Sequence, residues 1–290
     1  MGAKKALLVG INAYEDAPLR GCVPDIQNVY NVVIEEYGFH PDNVRLLLDR
    51  RATKAAIIVR LRWLINEAKS GDTLLFYYSG HGSQIRDRDG DELRDRLDEI
   101  LCPVDLCWDD PLSDDVLKDV FSKLKKNIHL YVVLDCCHSG TGTRSIGPPH
   151  GQIDRHTEEG NLEKLSARYH PPPLDIWYRS WRRELPVNKL GVKQTRDRNL
   201  VPDNSMRHVL IAGARADQTA ADAIMGGKPC GALTHCLLAT LAKDKAGEQP
   251  VNEAVADVSA MLSNYRFSQE VQLEGPGELL TKPFLSDPEV

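Results

Sequence analysis

The stretch that decides the fold is TLLFYYSGHG at residues 73–82, a largely apolar run that ends in a glycine-flanked histidine. A second stretch of the same kind, IHLYVVLDCCHSG, follows at residues 128–140. Short apolar runs of this length are typical of strands that are buried on both faces in a parallel sheet. Because ligands and catalytic groups collect at the carboxyl edge of such a sheet, we expect His81 and Cys137 at one edge.

The rest of the chain alternates short apolar runs with amphipathic stretches. Further strands are predicted at residues 6–11, 44–48 and 208–212. Helices are predicted from Pro24 onward and at residues 53–68, 113–125, 232–242 and 252–264. This alternation predicts an α/β fold whose mainly parallel central sheet carries helices on both faces.

Composition narrows the class of protein. The 290 residues carry a formal net charge of −6, and no long Lys/Arg run stands beside an aromatic stripe, so a nucleic-acid partner is not expected. No apolar run is long enough to span a bilayer, and the first residues do not read as a signal peptide. Seven cysteines, two of them adjacent, favour reduced thiols. We therefore expect a cytoplasmic protein that binds no membrane.

Cys137 and His81 have the chemistry of a nucleophile and its proton-transfer partner. A thiol is mostly protonated at neutral pH, so a catalytic cysteine needs a neighbouring imidazole or helix N-terminus. The backbone N–H groups of Gly82 and Cys137 are candidates for an oxyanion site. The structural alternative is a buried thiol beside a histidine in a turn. Strand alternation points Cys136 to the opposite face, where it is expected to pack.

Taken together, these motifs resemble a known family. YSGHGSQ at 78–84 and DCCHSG at 135–140, with 56 residues from His81 to Cys137, resemble the paired signatures of the metacaspase and orthocaspase branch of the caspase-like peptidases. GCVPD at 21–25, DQTAAD at 217–222 and GALT at 231–234 extend the resemblance over most of the chain. It implies a caspase–hemoglobinase fold and a cysteine endopeptidase with Cys137 as nucleophile and His81 as partner. A catalytically silent adaptor and a transpeptidase that uses the same acyl-enzyme are the alternatives.

The resemblance also implies a preference for basic substrates. Family members bind a basic side chain in an acidic, polar pocket, and the matching positions are Cys22, Asp25, Ser79 and Asp135. Carboxylates in a closed pocket favour guanidinium or ammonium groups, so cleavage after Arg or Lys is expected, on protein or peptide substrates. Alternatively, Asp25 caps the helix near Pro24, and Asp135 only accepts backbone N–H bonds.

The chemistry requires no cofactor, but several members of the family are activated by calcium. The positions that look equivalent to their aspartate cluster are Asp98, Asp114 and Asp115. A fourth family aspartate is replaced near Thr143 and Arg144, and an arginine there would repel the ion. A solvated acidic loop is the alternative.

The resemblance divides the chain into a large-subunit part, a linker and a small-subunit part. The first spans residues 1–144 and carries the dyad, the last spans 206–290, and the stretch 145–205 is rich in proline and arginine and shows no regular pattern. We expect the precursor to cut itself in this linker, or the linker to dock a regulatory protein through Trp177, Tyr178 and Trp181. The candidate cleavage residues are Arg179, Arg182, Arg183, Lys189, Lys193, Arg196 and Arg198.

Overall fold

The computed structural model describes residues 2–86, 97–137, 152–156, 162–179, 200–202, 206–215, 218–244 and 247–288. The strands in these ranges are β1 Lys4–Gly10, β2 Val44–Leu48, β3 Thr73–Ser79, β4 Gly82–Arg86, β5 Leu97–Leu101, β6 Leu112–Ser113, β7 His129–Asp135, β8 Gln152–His156, β9 Leu162–Ala167, β10 Leu200–Pro202, β11 Val209–Ala212, β12 Ala221–Met225, β13 Lys228–Gly231 and β14 Gln272–Gly275.

Seven of these strands form the central sheet, in the order β10-β14-β11-β7-β3-β1-β2. The run from β2 to β11 is parallel throughout, and only the pairing of β11 with β14 is antiparallel. The mainly parallel sheet predicted from the sequence is therefore confirmed. Every residue of β3 and β7 is buried, as expected for central strands that are covered on both faces.

Helices cover both faces of the central sheet. They are α1 Cys22–Glu35, α2 Lys54–Asn66, α3 Asp114–Ser122, α4 Leu174–Arg179, α5 Ala232–Leu241, α6 Val251–Asn264 and α7 Gly277–Leu280. One apolar core joins α1, α5, α6 and α7 to the sheet, and a second core joins α2 and α3 to the other face. Among the described residues, no helix is both long and apolar enough to cross a membrane.

Two small antiparallel sheets were not expected from the sequence. One contains β4, β5 and β6, and the other has the order β13-β12-β9-β8. The interpretation of residues 145–205 as a stretch without regular structure is wrong for residues 152–156 and 162–167, which form the β8–β9 hairpin. LEKLSA in β9 is too short and polar to show a strand pattern, and its other partner, β12, lies more than fifty residues further on.

The side chain of Thr53 caps the start of α2. Thr53 Oγ1 accepts a hydrogen bond of 3.2 Å from the backbone N–H of Ala56, one of the donors that a helix leaves unpaired at its first turn.

We expect Thr53→Ala to lower the free energy of unfolding by about 1 kcal/mol, because it removes this acceptor. Urea unfolding followed by circular dichroism measures the change. Thr53→Ser keeps the oxygen and is the matched control; a loss of equal size in both variants would contradict the capping account.

Candidate active site

His81 and Cys137 follow two adjacent parallel strands in equivalent positions. Ser79 of β3 is the register partner of Asp135 of β7, and each of the two candidate residues comes two positions later. Both side chains are buried. Gly82 lies so close to Cys137 that a Cβ on Gly82 would overlap the carbonyl oxygen of Cys137. The register of β3 on β7 therefore brings the motifs together at one edge of the sheet.

The imidazole of His81 is held in one tautomer. Its Nε2 lies 2.7 Å from the carbonyl oxygen of Ala17. A carbonyl can only accept, so Nε2 carries the proton and Nδ1 keeps the lone pair of the neutral ring. Nδ1 is buried and has no hydrogen-bond partner among the described residues. Burial lowers the pKa of His81 to about 4, which keeps the ring neutral at pH 7.

Two tyrosine hydroxyls fix the backbone of His81. The His81 N–H donates to the hydroxyl of Tyr14 over 2.9 Å, and that hydroxyl donates to the carbonyl of Cys102 over 2.9 Å. The hydroxyl of Tyr78 donates to the His81 carbonyl over 2.8 Å. The Tyr14 ring also stands against the imidazole, with 4.5 Å between the centroids. Sequence reasoning missed Tyr14, since it lies in a loop where no periodic pattern marks it.

The thiol of Cys137 is buried and neutral. Its Sγ accepts a hydrogen bond of 2.6 Å from the N–H of Ala220. Burial raises the pKa of Cys137 to about 12, so the thiol keeps its proton at pH 7 in this arrangement. Cys136 is fully buried in the apolar core on the α2–α3 face of the sheet, as the packing interpretation expects.

A fully buried arginine, Arg168, lies at the same edge of the sheet. Its guanidinium contacts three carboxylates: Asp25 at 2.8 Å, Asp135 at 3.1 Å and Asp222 at 3.1 Å. Ser79 Oγ accepts a further hydrogen bond of 2.8 Å. The pocket thus holds a basic side chain on two of the predicted carboxylates and one that was not predicted.

The main chain of Arg168 makes a second set of contacts. Its carbonyl oxygen accepts from the backbone N–H of Gly82 over 3.0 Å and from that of Cys137 over 3.2 Å. These are the two N–H groups that the sequence suggested for an oxyanion site. One residue therefore has its side chain in the acidic pocket and its carbonyl on both donors.

The predicted pocket residues have different surroundings. Asp25 is in the first turn of α1 but caps no helix end; it accepts from the N–H of Gly231. Burial raises the pKa of Asp25 to about 6, although Arg168 acts in the opposite direction. Asp135 contacts Arg168 and accepts from the N–H and hydroxyl of Thr234, so the interpretation that it only accepts backbone N–H bonds is wrong. Cys22 is buried, and burial raises its pKa.

Asp222 was missed although it lies in the DQTAAD motif. It accepts from the backbone N–H groups of Arg20 and Gly21 while it contacts Arg168. The sequence did contain a signal for Asp222, because it is a carboxylate in a motif that had been singled out. It did not show that β12 places this carboxylate beside Arg168, near the carboxyl end of β7.

The carboxylates suggested for calcium are engaged with a lysine. Lys118 Nζ lies 2.8 Å from Asp114 and 3.3 Å from Asp115, while Asp98 is buried in β5. In the part of the chain that the structure describes, no group of three or more acidic, histidine or cysteine side chains is arranged to hold a metal. Calcium binding stays a prediction, and no step below uses it.

Most of the suggested linker cleavage residues lie outside the described residues. Arg179 ends α4, and nothing is described of its side chain, nor of Trp177 and Tyr178. Trp181 and the other candidates, Arg182, Arg183, Lys189, Lys193, Arg196 and Arg198, fall within residues 180–199, which the structure does not describe.

Comparison with known proteins places the chain in a family. The family described as "Metacaspase, peptidase C14 domain" matches residues 4–144. Metacaspase-1 of Pyricularia oryzae is 30% identical over 94% of this chain and 71% of its own length, and Metacaspase-1A of Aspergillus oryzae is 30% identical over 98% and 71%. The chain belongs to the metacaspase family, whose peptidase domain is of class C14.

Two further similarities define the extent of the match. Metacaspase-1 of Saccharomyces cerevisiae is 31% identical over 82% of this chain, which spans only 59% of that relative's length. The crystal structure of protein GSU0716 from Geobacter sulfurreducens covers 99% of this chain and 100% of its own, with a TM-score of 0.64 and 22% identity. The second similarity bears on the fold alone.

Because Cys137 is buried, we expect its thiol to react slowly with alkylating reagents. The His81→Ala variant removes the imidazole, so that burial alone sets the reactivity of the thiol. In this variant, iodoacetamide at pH 7.5 should modify Cys137 about 100-fold more slowly than a free cysteine, because burial raises the pKa of Cys137. Peptide mapping by mass spectrometry measures both rates in one sample, since Cys107 is exposed and is the internal control. Equal rates for the two thiols in folded protein would contradict the closed geometry.

Proposed function

We propose that this chain is a cysteine endopeptidase that cleaves protein or peptide substrates after arginine or lysine. The observation that carries the proposal is the position of Arg168, whose guanidinium lies on three carboxylates while its carbonyl accepts from Gly82 and Cys137. A substrate residue bound in the same way presents its carbonyl carbon beside the nucleophilic cysteine. Membership of the metacaspase family supports the same activity.

The mechanism follows from the geometry of the dyad. His81 Nδ1, which has the free lone pair, takes the thiol proton as Cys137 Sγ attacks the substrate carbonyl carbon. The N–H groups of Gly82 and Cys137 stabilise the oxyanion. His81 then protonates the leaving amine, and water releases the acyl-enzyme. The carbonyl of Ala17, which accepts from His81 Nε2, and the hydroxyl of Tyr14, which accepts from the His81 N–H, hold the imidazole in position during these transfers.

Specificity comes from charge and from burial. Asp25, Asp135 and Asp222 are all buried, so an acidic substrate side chain meets three carboxylates that solvent screens only weakly. The planar guanidinium reaches several acceptors at once, as Arg168 does, whereas an ammonium group is a single point charge. Arginine is therefore favoured over lysine.

A peptide library should show this preference directly. We expect cleavage after arginine to be about 100-fold or more faster than cleavage after aspartate or alanine, since two or more pairing carboxylates are worth several kcal/mol. Fluorogenic peptides that differ only in the residue before the cleaved bond measure kcat/KM. Asp135→Asn should reduce the ratio, Cys137→Ala should abolish cleavage, and Asp109→Asn on the surface is the matched control.

Three results would contradict the proposal. Faster cleavage after aspartate than after arginine would remove the basic specificity. Absence of cleavage of every peptide by folded wild type would favour the silent adaptor, and ligation of an added amine in preference to hydrolysis would favour the transpeptidase.

Binding of a basic group should weaken in acid. Protonation of Asp25, whose pKa is about 6 with a guanidinium beside it, removes a negative charge from the pocket. The dissociation constant of benzamidine for the Arg168→Gln variant, whose pocket lacks its own guanidinium, should rise by about tenfold between pH 8 and pH 5. Asp25→Asn in the same background should show a flat profile, and an unchanged slope in that variant would assign the titration to another group.

A further inference from the structure

We infer that the Arg168–Tyr169 peptide bond is the bond that this chain cuts in itself, and that it does so within one molecule. The inference rests on the proposed function. It assigns the self-cleavage to a residue that was not among the candidates suggested by the sequence. Its basis is that residues 166–170 pass through the site with a bend at Arg168 and are held on both sides of one bond.

The side before the bond is bound as an added strand. Ala167 and Ser166 of β9 are register partners of Ala221 and Asp222 of β12. Arg168 N–H donates to the carbonyl of Ala220 over 3.0 Å. Antiparallel pairing of this kind is a general way in which peptides bind to an exposed strand. Residues 166–168 therefore define where the substrate residues before the cleaved bond lie.

The side after the bond is also anchored. The N–H of His170 donates to the carbonyl of Gly82 over 3.0 Å, and Tyr169 forms a parallel bridge with Gly82. The ring of His170 lies 5.6 Å from that of Trp108 and 5.8 Å from that of His81. Because both sides are fixed, the Arg168 carbonyl is held on the oxyanion donors in a single orientation, which favours reaction.

The charge balance explains why this residue occupies the pocket. Three buried carboxylates without a cation are costly, and the pKa of Arg168 is raised by its carboxylate neighbours despite its burial. β9 is tied to the site through β12, so the local concentration of Arg168 exceeds that of any external peptide. The same contacts leave Cys137 and His81 covered, so the uncut chain is closed to other substrates.

The cleavage step balances without a further reactant except water. Sγ of Cys137 bonds to the Arg168 carbonyl carbon as the thiol proton moves to His81 Nδ1. The C–N bond to Tyr169 then breaks, and the same proton passes to the Tyr169 nitrogen. Water hydrolyses the thioester, which restores the thiol and leaves Arg168 with a terminal carboxylate.

Fragment analysis of purified protein tests which bond is cut. Wild type should yield residues 1–168 and 169–290, with a new N-terminus that reads Tyr-His-Pro by sequencing and intact mass. Cys137→Ala and Arg168→Gln should stay whole, while Arg168→Lys should still be cut, at a reduced rate. Arg182→Gln is the matched control at a sequence-suggested site and should be cut as wild type is.

Different outcomes separate the two proposals. Cuts only within residues 179–198, or wild-type processing of Arg168→Gln, would overturn the assignment of the bond even if arginine peptides are cleaved. An intact wild type that cleaves arginine peptides would make residues 166–170 an uncut plug and overturn self-cleavage. An intact wild type overturns self-cleavage, and if Arg168→Gln, whose pocket is no longer filled by its own arginine, also cleaves no peptide, the proposed function falls as well. If circular dichroism shows that Arg168→Gln does not fold, the new N-terminus of the wild-type fragment and the cleavage of Arg168→Lys still test which bond is cut.

A mixing experiment tests whether the cut occurs within one molecule. Labelled Cys137→Ala is incubated with unlabelled wild type at equal concentration. It should remain whole over at least ten half-lives of wild-type processing, measured by pulse-chase in cell-free translation, because its bond lies in its own disabled site. Cleavage of the labelled chain at Arg168 at the wild-type rate would show a reaction between molecules and overturn this part of the inference.

Discussion

The buried contact between the Arg168 guanidinium and three aspartates is the constraint on which the site depends. Asp25 comes from α1, Asp135 from β7 and Asp222 from β12, so one cation joins three parts of the chain that are distant in sequence. Removing one member of a buried ion cluster typically costs about 3–5 kcal/mol, because it leaves an uncompensated charge. A pocket of this kind is stable when a basic group fills it, and the proposed specificity follows from the same requirement.

The central sheet places the reacting groups with little help from flexible side chains. The register of β3 on β7 sets the positions of His81 and Cys137, and the absence of a side chain at Gly82 lets the two strand ends approach. Tyr14 and Ala17, from the loop after β1, then orient the imidazole. Backbone geometry thus supplies the proposed oxyanion donors, and the aspartates around the pocket are the groups to which we assign the proposed choice of substrate.

Sequence patterns predicted the parts of this arrangement that depend on local signals. The apolar runs of β3 and β7 indicated the parallel sheet, and the motifs at their ends contain His81, Cys137 and Asp135. Asp25 came from the resemblance of GCVPD at residues 21–25 to a family motif. Asp222 and Arg168 could not be predicted in the same way, because their roles come from pairing between β9 and β12. That pairing is long-range, and β9 has a polar, irregular sequence.

The neutral state of the dyad follows from the same closure. Burial raises the pKa of Cys137 and lowers that of His81, so neither group is charged while Arg168 fills the pocket. An opened site lets water reach both groups, which reduces the penalty on the thiolate and the imidazolium. The segment from which we infer the mode of substrate binding therefore also keeps the Cys137 thiol in its less reactive, protonated form.

A crystal structure of the Cys137→Ala variant tests the central claim most directly. The account predicts that Arg168 lies in the pocket with its guanidinium on Asp25, Asp135 and Asp222, and that its carbonyl oxygen accepts from the N–H groups of Gly82 and residue 137. An empty acidic pocket, or a chain that carries residues 166–170 away from the strand ends, would contradict it.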